Sequence, residues 1–543
     1  MKEKKNSFMG NVLMLMISQV VIRLLGLIYK LIITNLDGFG DIGNGYYSAG
    51  YQIYTVLLLI SSQGIPNALS RLVSEKIAIG EYKSAHRIFK IAFILFGIIG
   101  GTCSALLFLS SDFIASNILN VPDVKYVLRV LSPAIFFVSI SAVIRGYFAG
   151  LGTMKVTSTS QTLEQFFNCL LSITFVYATI GREPYIMAAA GNLSTTVAIL
   201  ISFTYLVTYY KLRNKKYADK YKNGEQKEKA KPAKSIAKTI LMYSIPMTIG
   251  SVVTAISTMI DTATVSNCTQ IAYKTILGSK EALEQMAMKF TGILSKVDTL
   301  TNLPIAINLA FSSALVPAIS SALARNNREE ASKKISFSVT ASILIILPCS
   351  IGFIVLADPI LRMLYPNASD GAHILQIASV TMIFIAINQT LNGALFGLNK
   401  LYIPAIATTI GSVIKFVLNM ILIRNPNINI YGAAISSFIC QFISFFITWR
   451  VTKKEINLKL DFKKNIIKPI ISGAIMGIAI LVIYNLLKTS INNVILTLFT
   501  IIIGAVIYVL AIVYVKVLEK DEILSLPMGD KAYKVLKKLK IYA

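Results

Sequence analysis

Apolar runs of about twenty residues recur along this sequence from end to end. A helix of that length crosses the roughly 30 Å of hydrocarbon in a bilayer. No water is available there, so each backbone N–H and C=O must be satisfied within the spanning structure, which leaves helices or closed barrels. These runs are too long for barrel strands. The expected fold is therefore an all-α polytopic membrane protein. About fourteen spans are expected, at 8–34, 46–70, 88–110, 127–150, 157–180, 185–210, 239–265, 290–321, 335–357, 373–397, 402–423, 431–449, 466–487 and 494–517. With 55% of residues apolar and only 15% charged, a soluble domain on an anchor is excluded. The first run is too long for a signal-peptide core and lacks a small-x-small cleavage site, so it is expected to remain as the first span.

The formal charge of +27 suggests nucleic acid only until the 53 lysines and arginines are located. With the N-terminus in the cytoplasm, 39 of them fall in cytoplasmic segments and nine on the opposite side. That asymmetry orients the chain with both termini inside. The charge thus reports topology and contact with anionic membrane lipids, not nucleic acid. The five cysteines, Cys103, Cys169, Cys268, Cys349 and Cys440, are scattered, and no pair has metal-ligand spacing. Neither a disulfide framework nor a metal site is expected.

The segment "KLRNKKYADKYKNGEQKEKAKPAKSIAK" (211–238) reads as a basic cytoplasmic linker between two halves that echo each other. "GIPNALSRL" (64–72) matches "LVPAISSAL" (315–323), with Pro66 over Pro317. "RGYFAGLGTMKV" (145–156) matches "NGALFGLNKLYI" (392–403). Two six-helix lobes, 1–210 and 239–450, follow as a parallel pseudo-repeat about an axis along the membrane normal, an arrangement typical of alternating-access transporters. Two C-terminal helices (451–517) and a basic cytoplasmic tail (518–543) fall outside it.

Five cations lie within spans: Arg23, Lys30, Arg145, Lys296 and Lys415. Three acids do too: Glu164, Asp261 and Asp298. Ionisable groups so placed normally face the bundle interior or a wet cavity. At 100° per residue, Gln19, Arg23, Gly26 and Lys30 share one face. Arg23 is about 22 Å along its helix, too deep to snorkel easily. Thr157, Gln161, Glu164, Asn168 and Ser172 share another face, as do Ser295, Asp298 and Asn302, and Thr408, Ser412, Lys415 and Asn419. Ser244, Thr248, Ser251, Thr258 and Thr262 form a hydroxyl stripe of the kind that more often glues helices together than binds a ligand. Arg145 and Glu164 flank a short turn, which favours a structural ion pair. Lys415 suits either pairing with an acid of another helix or a place in the cavity. Lys30 suits either the cavity or snorkelling, and Asp298 either support of a cation or ligation of an ion. Arg23, with Lys296 behind it, is the leading candidate to hold an anion, since a guanidinium presents parallel donors to a phosphate.

On "RGYFAGLGTMKVTSTSQTLEQF" (145–166) and "GIPNALSRLVSE" (64–75), the chain resembles the stage V sporulation protein B and lipid II flippase branch of the multidrug/oligosaccharidyl-lipid/polysaccharide exporter superfamily, over essentially its whole length. The resemblance implies two six-helix lobes around a V-shaped cavity and a lipid groove formed by 466–517. It implies a bacterial plasma-membrane flippase, working as a monomeric transport unit, for undecaprenyl-diphosphate-linked saccharides such as lipid II. The family's first-helix Arg-x-Leu-Gly matches Arg23, Leu25 and Gly26, and an Arg-Asp pair farther along falls near Tyr29 and Lys30. Lys296 lies near a helix-eight arginine of the family. Leu58 and Leu59, followed by Ser62-Gln63-Gly64, stand where such flippases carry arginines before Ala-Glu-Gly. No cofactor is implied, and a coupling ion, Na+ or H+, is left open.

A cation-coupled drug exporter of the same superfamily is the nearest rival, although buried acids would suit it better than the two cations of the first span. Flippases for other lipid-linked polysaccharides share the diphosphate handle. A membrane glycosyltransferase or phosphatase would need positioned acid/base or metal groups. The only histidines, His86 and His373, are isolated, and Glu329 and Glu330 sit in a salt-bridge-like "RNNREEASKK". An enzyme is not expected. The orientation is checked by cysteine labelling from outside intact cells. Cysteines replacing Lys222 or Lys538 should stay unlabelled, and strong labelling would reverse the topology.

Overall fold

The computed structural model describes residues 8–223, 232–458, 461 and 463–517. The first half runs α1 (Phe8–Thr34), α2 (Gly40–Ser62), α3 (Ile65–Ala78), α4 (Tyr82–Leu109), the single turn α5 (Ser111–Phe113), a π-helical turn (Ile114–Ile118), α6 (Val124–Gly150), α7 (Met154–Ala178) and α8 (Pro184–Asn223). The second half runs α9 (Ala233–Leu277), α10 (Lys280–Ala324), α11 (Arg328–Val355), α12 (Ala357–Leu364), α13 (Ala372–Gly397), α14 (Ile403–Leu422) and α15 (Tyr431–Ile456). A π-helical turn (Lys463–Ile467), α16 (Lys468–Leu487) and α17 (Asn493–Tyr514) follow. Among the described residues there is no strand. Each of the fourteen expected spans falls on helix, and among the described residues eleven stretches are long and apolar enough to cross a membrane. This is a multi-pass membrane protein.

Several boundaries differ from the expectation. The second span is broken into α2 and α3 at Gln63-Gly64, where Pro66 occupies the first turn of α3. Proline lacks an N–H and is tolerated there because that donor has no helical partner anyway. Gly64 lets the Ser244 carbonyl of α9 approach closer than any side chain would allow. Helix also invades the basic linker from both sides, since α8 reaches Asn223 and α9 begins at Ala233. Lysine and arginine are good helix formers once outside the bilayer. The middle of the linker and the tail 518–543 lie outside the described residues. At α11, Asn327 caps the Glu330 N–H at 2.9 Å, and Glu330 in turn meets Arg325 and Lys334. The adjacent glutamates are thus a helix start.

Packing divides the chain into two compact units, Met1–Lys296 with Asn419–Ile430, and Val297–Leu418 with Tyr431–Ala543. The lobes proposed from the sequence echo cut the chain differently, because α9 and the start of α10 pack within the first unit. Hydrogen bonds from α9 to the end of the π-helical turn and the loop after it show how. Asn267 Nδ2 donates to the Ile118 carbonyl at 2.6 Å, and Gln270 and Asn120 exchange two bonds of 2.9 Å. In the second unit, α16 and α17 dock on α11 and α12. Tyr508 donates to the Leu344 carbonyl at 3.2 Å and Asn493 to that of Pro359 at 3.2 Å.

The echo between the halves is a packing device. A Cβ on Gly146 of α6 would lie 2.8 Å from the Pro66 Cα, and one on Gly150 2.7 Å from the Val73 Cβ. In the second unit a Cβ on Gly393 of α13 would lie 2.7 Å from the Ser312 carbonyl oxygen, and one on Gly397 2.9 Å from the Ile319 Cβ. Small residues four apart let two helices touch at the backbone in both places. These contacts correct the register: Ser312, not Pro317, stands where Pro66 does, a slip of five residues. Gly146→Ala and Gly393→Ala should each destabilise the extracted protein by about 1–3 kcal/mol through overpacking. Gly97→Ala, with open space around it, should be neutral or stabilising by about 0.5–1 kcal/mol. Thermal unfolding in detergent checks the contrast.

Candidate functional site

The face of α1 that carries the two cations is fixed by what Lys30 touches. Its Nζ donates to Asn44 Oδ1 at 3.2 Å and Ser48 Oγ at 3.4 Å on α2, and to Ser295 Oγ at 3.1 Å on α10. It also lies 4.9 Å from the centre of the Tyr47 ring, close enough for cation–π attraction. Lys30 therefore points into the bundle and does not snorkel. Gly26, one turn earlier, lies against Gln165 of α7. Arg23 completes the face. It is exposed, and no hydrogen bond or ion pair engages it among the described residues. The side chain of Gln19 lies outside the described residues.

Where α2 crosses α10, their backbones touch. Gly45 sits against the Met288 carbonyl and Gly292 against that of Asp41, both nearer than a Cβ would permit. The Gly292 carbonyl accepts from Asn44 Nδ2 at 2.8 Å, and Ser48 donates to Ser295. Within this seam Lys296 Nζ meets Asp41 Oδ1 at 2.7 Å, with the two side chains 0% and 6% exposed. Lys296 is thus held by a carboxylate and is closed to a ligand in this structure, contrary to its expected place in an open cationic cavity. Asp41 was invisible to sequence reasoning because "DGFGDIGNG" reads as a glycine-rich loop. A usable signal was the spacing of Asp41, Asn44 and Ser48, which repeats one helical face.

The other charges are committed elsewhere. Arg145 Nη2 meets Glu164 Oε2 at 2.6 Å, and its other donors reach Ser160 at 2.9 Å and Ser202 at 3.1 Å. Asp261 accepts from Asn419 Nδ2 at 3.0 Å, and Thr264 accepts from the same amide at 2.8 Å. Lys415 is buried on α14, whereas Asp298 and Asn302 are exposed on the part of α10 that belongs to the second unit. The polar stripe of α7 is partly consumed by α8, since Asn168 accepts from Ser194 at 2.9 Å and Thr195 at 3.2 Å. On α9, Ser244, Thr248 and Thr258 donate to carbonyls four residues back. That stripe is largely self-satisfied. No group of three or more His, Cys, Asp and Glu among the described residues could hold a metal ion.

Of the four cations that lie within spans of unit one, Arg145 and Lys296 hold carboxylates, Lys30 bridges two helices, and Arg23 has no hydrogen-bond or ion-pair partner among the described residues. In a poorly hydrated bundle, an open guanidinium attracts an anion more strongly than in water. Recognition of a phosphate-bearing ligand is within its chemistry.

Residues 8–323 match the family model described as polysaccharide biosynthesis protein, and residues 284–421 match the MatE model. The chain is 26% identical to the Lipid II flippase MurJ of Bacillus subtilis (strain 168), over 74% of this chain and 75% of that one. It is also 26% identical to the Stage V sporulation protein B of the same organism, over 80% and 81%. Its fold resembles the solved structure of Lipid II flippase MurJ in an inward closed conformation, with a TM-score of 0.68, 16% identity, and coverage of 92% of this chain and 98% of that one.

The seam yields a stability prediction. Removing one partner of a buried ion pair strands the other, at about 3–5 kcal/mol. Lys296→Met or Asp41→Asn alone should therefore lower the thermal stability of the extracted protein strongly, and Lys296→Met with Asp41→Leu should recover most of it. Thermal unfolding of the two single variants and the pair checks this.

Proposed function

This chain belongs to the polysaccharide biosynthesis protein family of the multidrug/oligosaccharidyl-lipid/polysaccharide exporter superfamily, and we propose from that premise that it is a transporter for undecaprenyl-diphosphate-linked saccharides. On this reading it moves lipid II from the inner to the outer leaflet of the bacterial plasma membrane by alternating access, and catalyses no covalent chemistry. The relatives named as a lipid II flippase and a sporulation protein, which align over about three quarters of their lengths or more, support it. Both termini face the cytoplasm in this scheme, anionic lipids contact the basic segments, and a monomer is the working unit. Any coupling ion is Na+ or H+.

One observation carries the assignment of the binding residue: Arg23 is exposed on an inward-turned face of α1, while Arg145 and Lys296 are each held by a carboxylate. Arg23 grips the diphosphate with its paired donors, and Lys30 adds positive potential two turns farther along the stripe. A second reading, a different lipid-linked polysaccharide precursor, is favoured by Leu58 and Leu59, which leave α2 without the cations that the resemblance leads one to expect. Depleting the protein and identifying the lipid-linked precursor that accumulates in the inner leaflet separates the two.

A charge-assisted hydrogen bond contributes about 1.5–3 kcal/mol, or roughly one to two powers of ten in affinity. Arg23→Ala should weaken diphosphate binding and flipping by that factor while thermal stability stays within about 0.5 kcal/mol. Arg23→Lys should recover part of the activity, because the charge survives and the fork does not. Flipping and thermal stability are measured together, alone and with Glu164→Gln or Asp298→Asn. Full rescue of transport in either double variant would make Arg23 a strut.

A further inference from the structure

Lys30 holds three helices together at one atom. A protonated amine has three hydrogens to donate. Three oxygens converge on this one, from Asn44 and Ser48 of α2 and Ser295 of α10, at 3.2, 3.4 and 3.1 Å. The same three residues make the seam: Asn44 donates to the Gly292 carbonyl and Ser48 to Ser295. Lys30 thus clasps the α2–α10 crossing from the α1 side, on the face it shares with Arg23.

We infer that Lys30 is a ligand-released clasp: a diphosphate bound at Arg23 draws the Lys30 ammonium off Asn44, Ser48 and Ser295 and so loosens the α2–α10 seam. This rests on the proposed binding of a diphosphate beside Arg23. The donor count supplies the coupling, because a phosphate oxygen that reaches Nζ takes a hydrogen now shared with these oxygens. A charged acceptor makes the stronger bond, about twice a neutral one. Ser48 is the longest contact and the first to yield. Seven residues separate Arg23 from Lys30, about 10 Å along the helix. Two side chains as long as these can close on one diphosphate from either end of that interval. Asp41 and Lys296 stay paired as the seam loosens, since neither is exposed to the ligand. Lys30 acts here through the seam, as a positioning residue and not as the main anchor.

The test places spin labels on cysteines replacing Asp37, just before α2, and Glu281, in the first turn of α10, both exposed. The full-length protein carries these with its five native cysteines replaced. Pulsed dipolar spectroscopy reads the distance with and without undecaprenyl diphosphate, and a separate assay reads binding of that probe. In the otherwise wild-type protein, the bound probe should shift the distance distribution. Lys30→Met should still bind the probe through Arg23, within about tenfold of wild type, and show one distribution with or without it. A Lys30→Met protein whose distances respond as wild type does would overturn the clasp, as would a wild-type protein that binds the probe without any shift. Ser295→Asp keeps the test open if Lys30→Met fails to fold. A carboxylate beside Nζ should raise the probe concentration at half-shift at least tenfold, and an unchanged midpoint would overturn the inference. Failure of the wild-type protein to bind the probe at all would instead remove the proposed diphosphate site, and the clasp with it.

Discussion

A lysine shut away from water meets a carboxylate in this protein, and the α2–α10 seam is built around that contact. Moving an ammonium and a carboxylate out of water costs several kcal/mol per ion, so Lys296 and Asp41 are tolerable together only at close range. The 2.7 Å separation requires the two backbones to touch, and Gly45 and Gly292 are what permit it. The approach then places the Gly292 carbonyl where Asn44 can satisfy it. Glycine, ion pair and amide are therefore a single arrangement, each present because of the others. Lys30 reaches the same seam from α1 because Asn44 and Ser48 are already turned toward α10.

The two halves use one device and then diverge. Gly146 and Gly150 press α6 onto α3, and Gly393 and Gly397 press α13 onto the end of α10. Both motifs end in a left-handed residue, Gly152 at φ 76° and Asn399 at φ 60°, conformations that glycine and asparagine tolerate. Yet the residue preceding the first glycine is Arg145 in one half and Asn392 in the other. Only the first half places a cation there, and it comes with Glu164, Ser160 and Ser202 to hold it. The backbone contact has been kept and the charge has not, as expected if the glycines answer to packing and the arginine to a local partner.

The spans were legible because hydrocarbon thickness dictates their length and nothing else in the chain resembles them. Arg145 and Glu164 were legible as a pair because they flank one short turn, and the structure joins them. Asp41 and Lys296 were not, because 255 residues separate them and composition carries no trace of such a partner. The start of α2 was missed because glycines that serve close packing look, in sequence, like glycines that serve a loop. The repeat was visible but set five residues out at α10, where apolar sequence is too uniform to fix a register and proline was a misleading anchor. The hydroxyl stripe of α9 looked polar in sequence, yet several of its side chains bond to carbonyls of their own helix.

What a buried cation can do depends on what already holds it. A guanidinium clamped by a carboxylate, as Arg145 is, offers an incoming anion little, because the anion must displace a full charge at 2.6 Å. An ammonium bonded to amide and hydroxyl oxygens can be drawn away from them, because those acceptors are dipoles and a phosphate is not. An exposed guanidinium needs no displacement at all. Lys296, Lys30 and Arg23 form this series within one unit, graded from fixed to yielding to open. A chain that needed only positive potential could leave all three open, at the expense of stability. A chain that needed only stability would have no reason to keep Arg23. The gradation is what a protein requires if the same stretch of helix must hold a bundle together and still respond to a charged cargo.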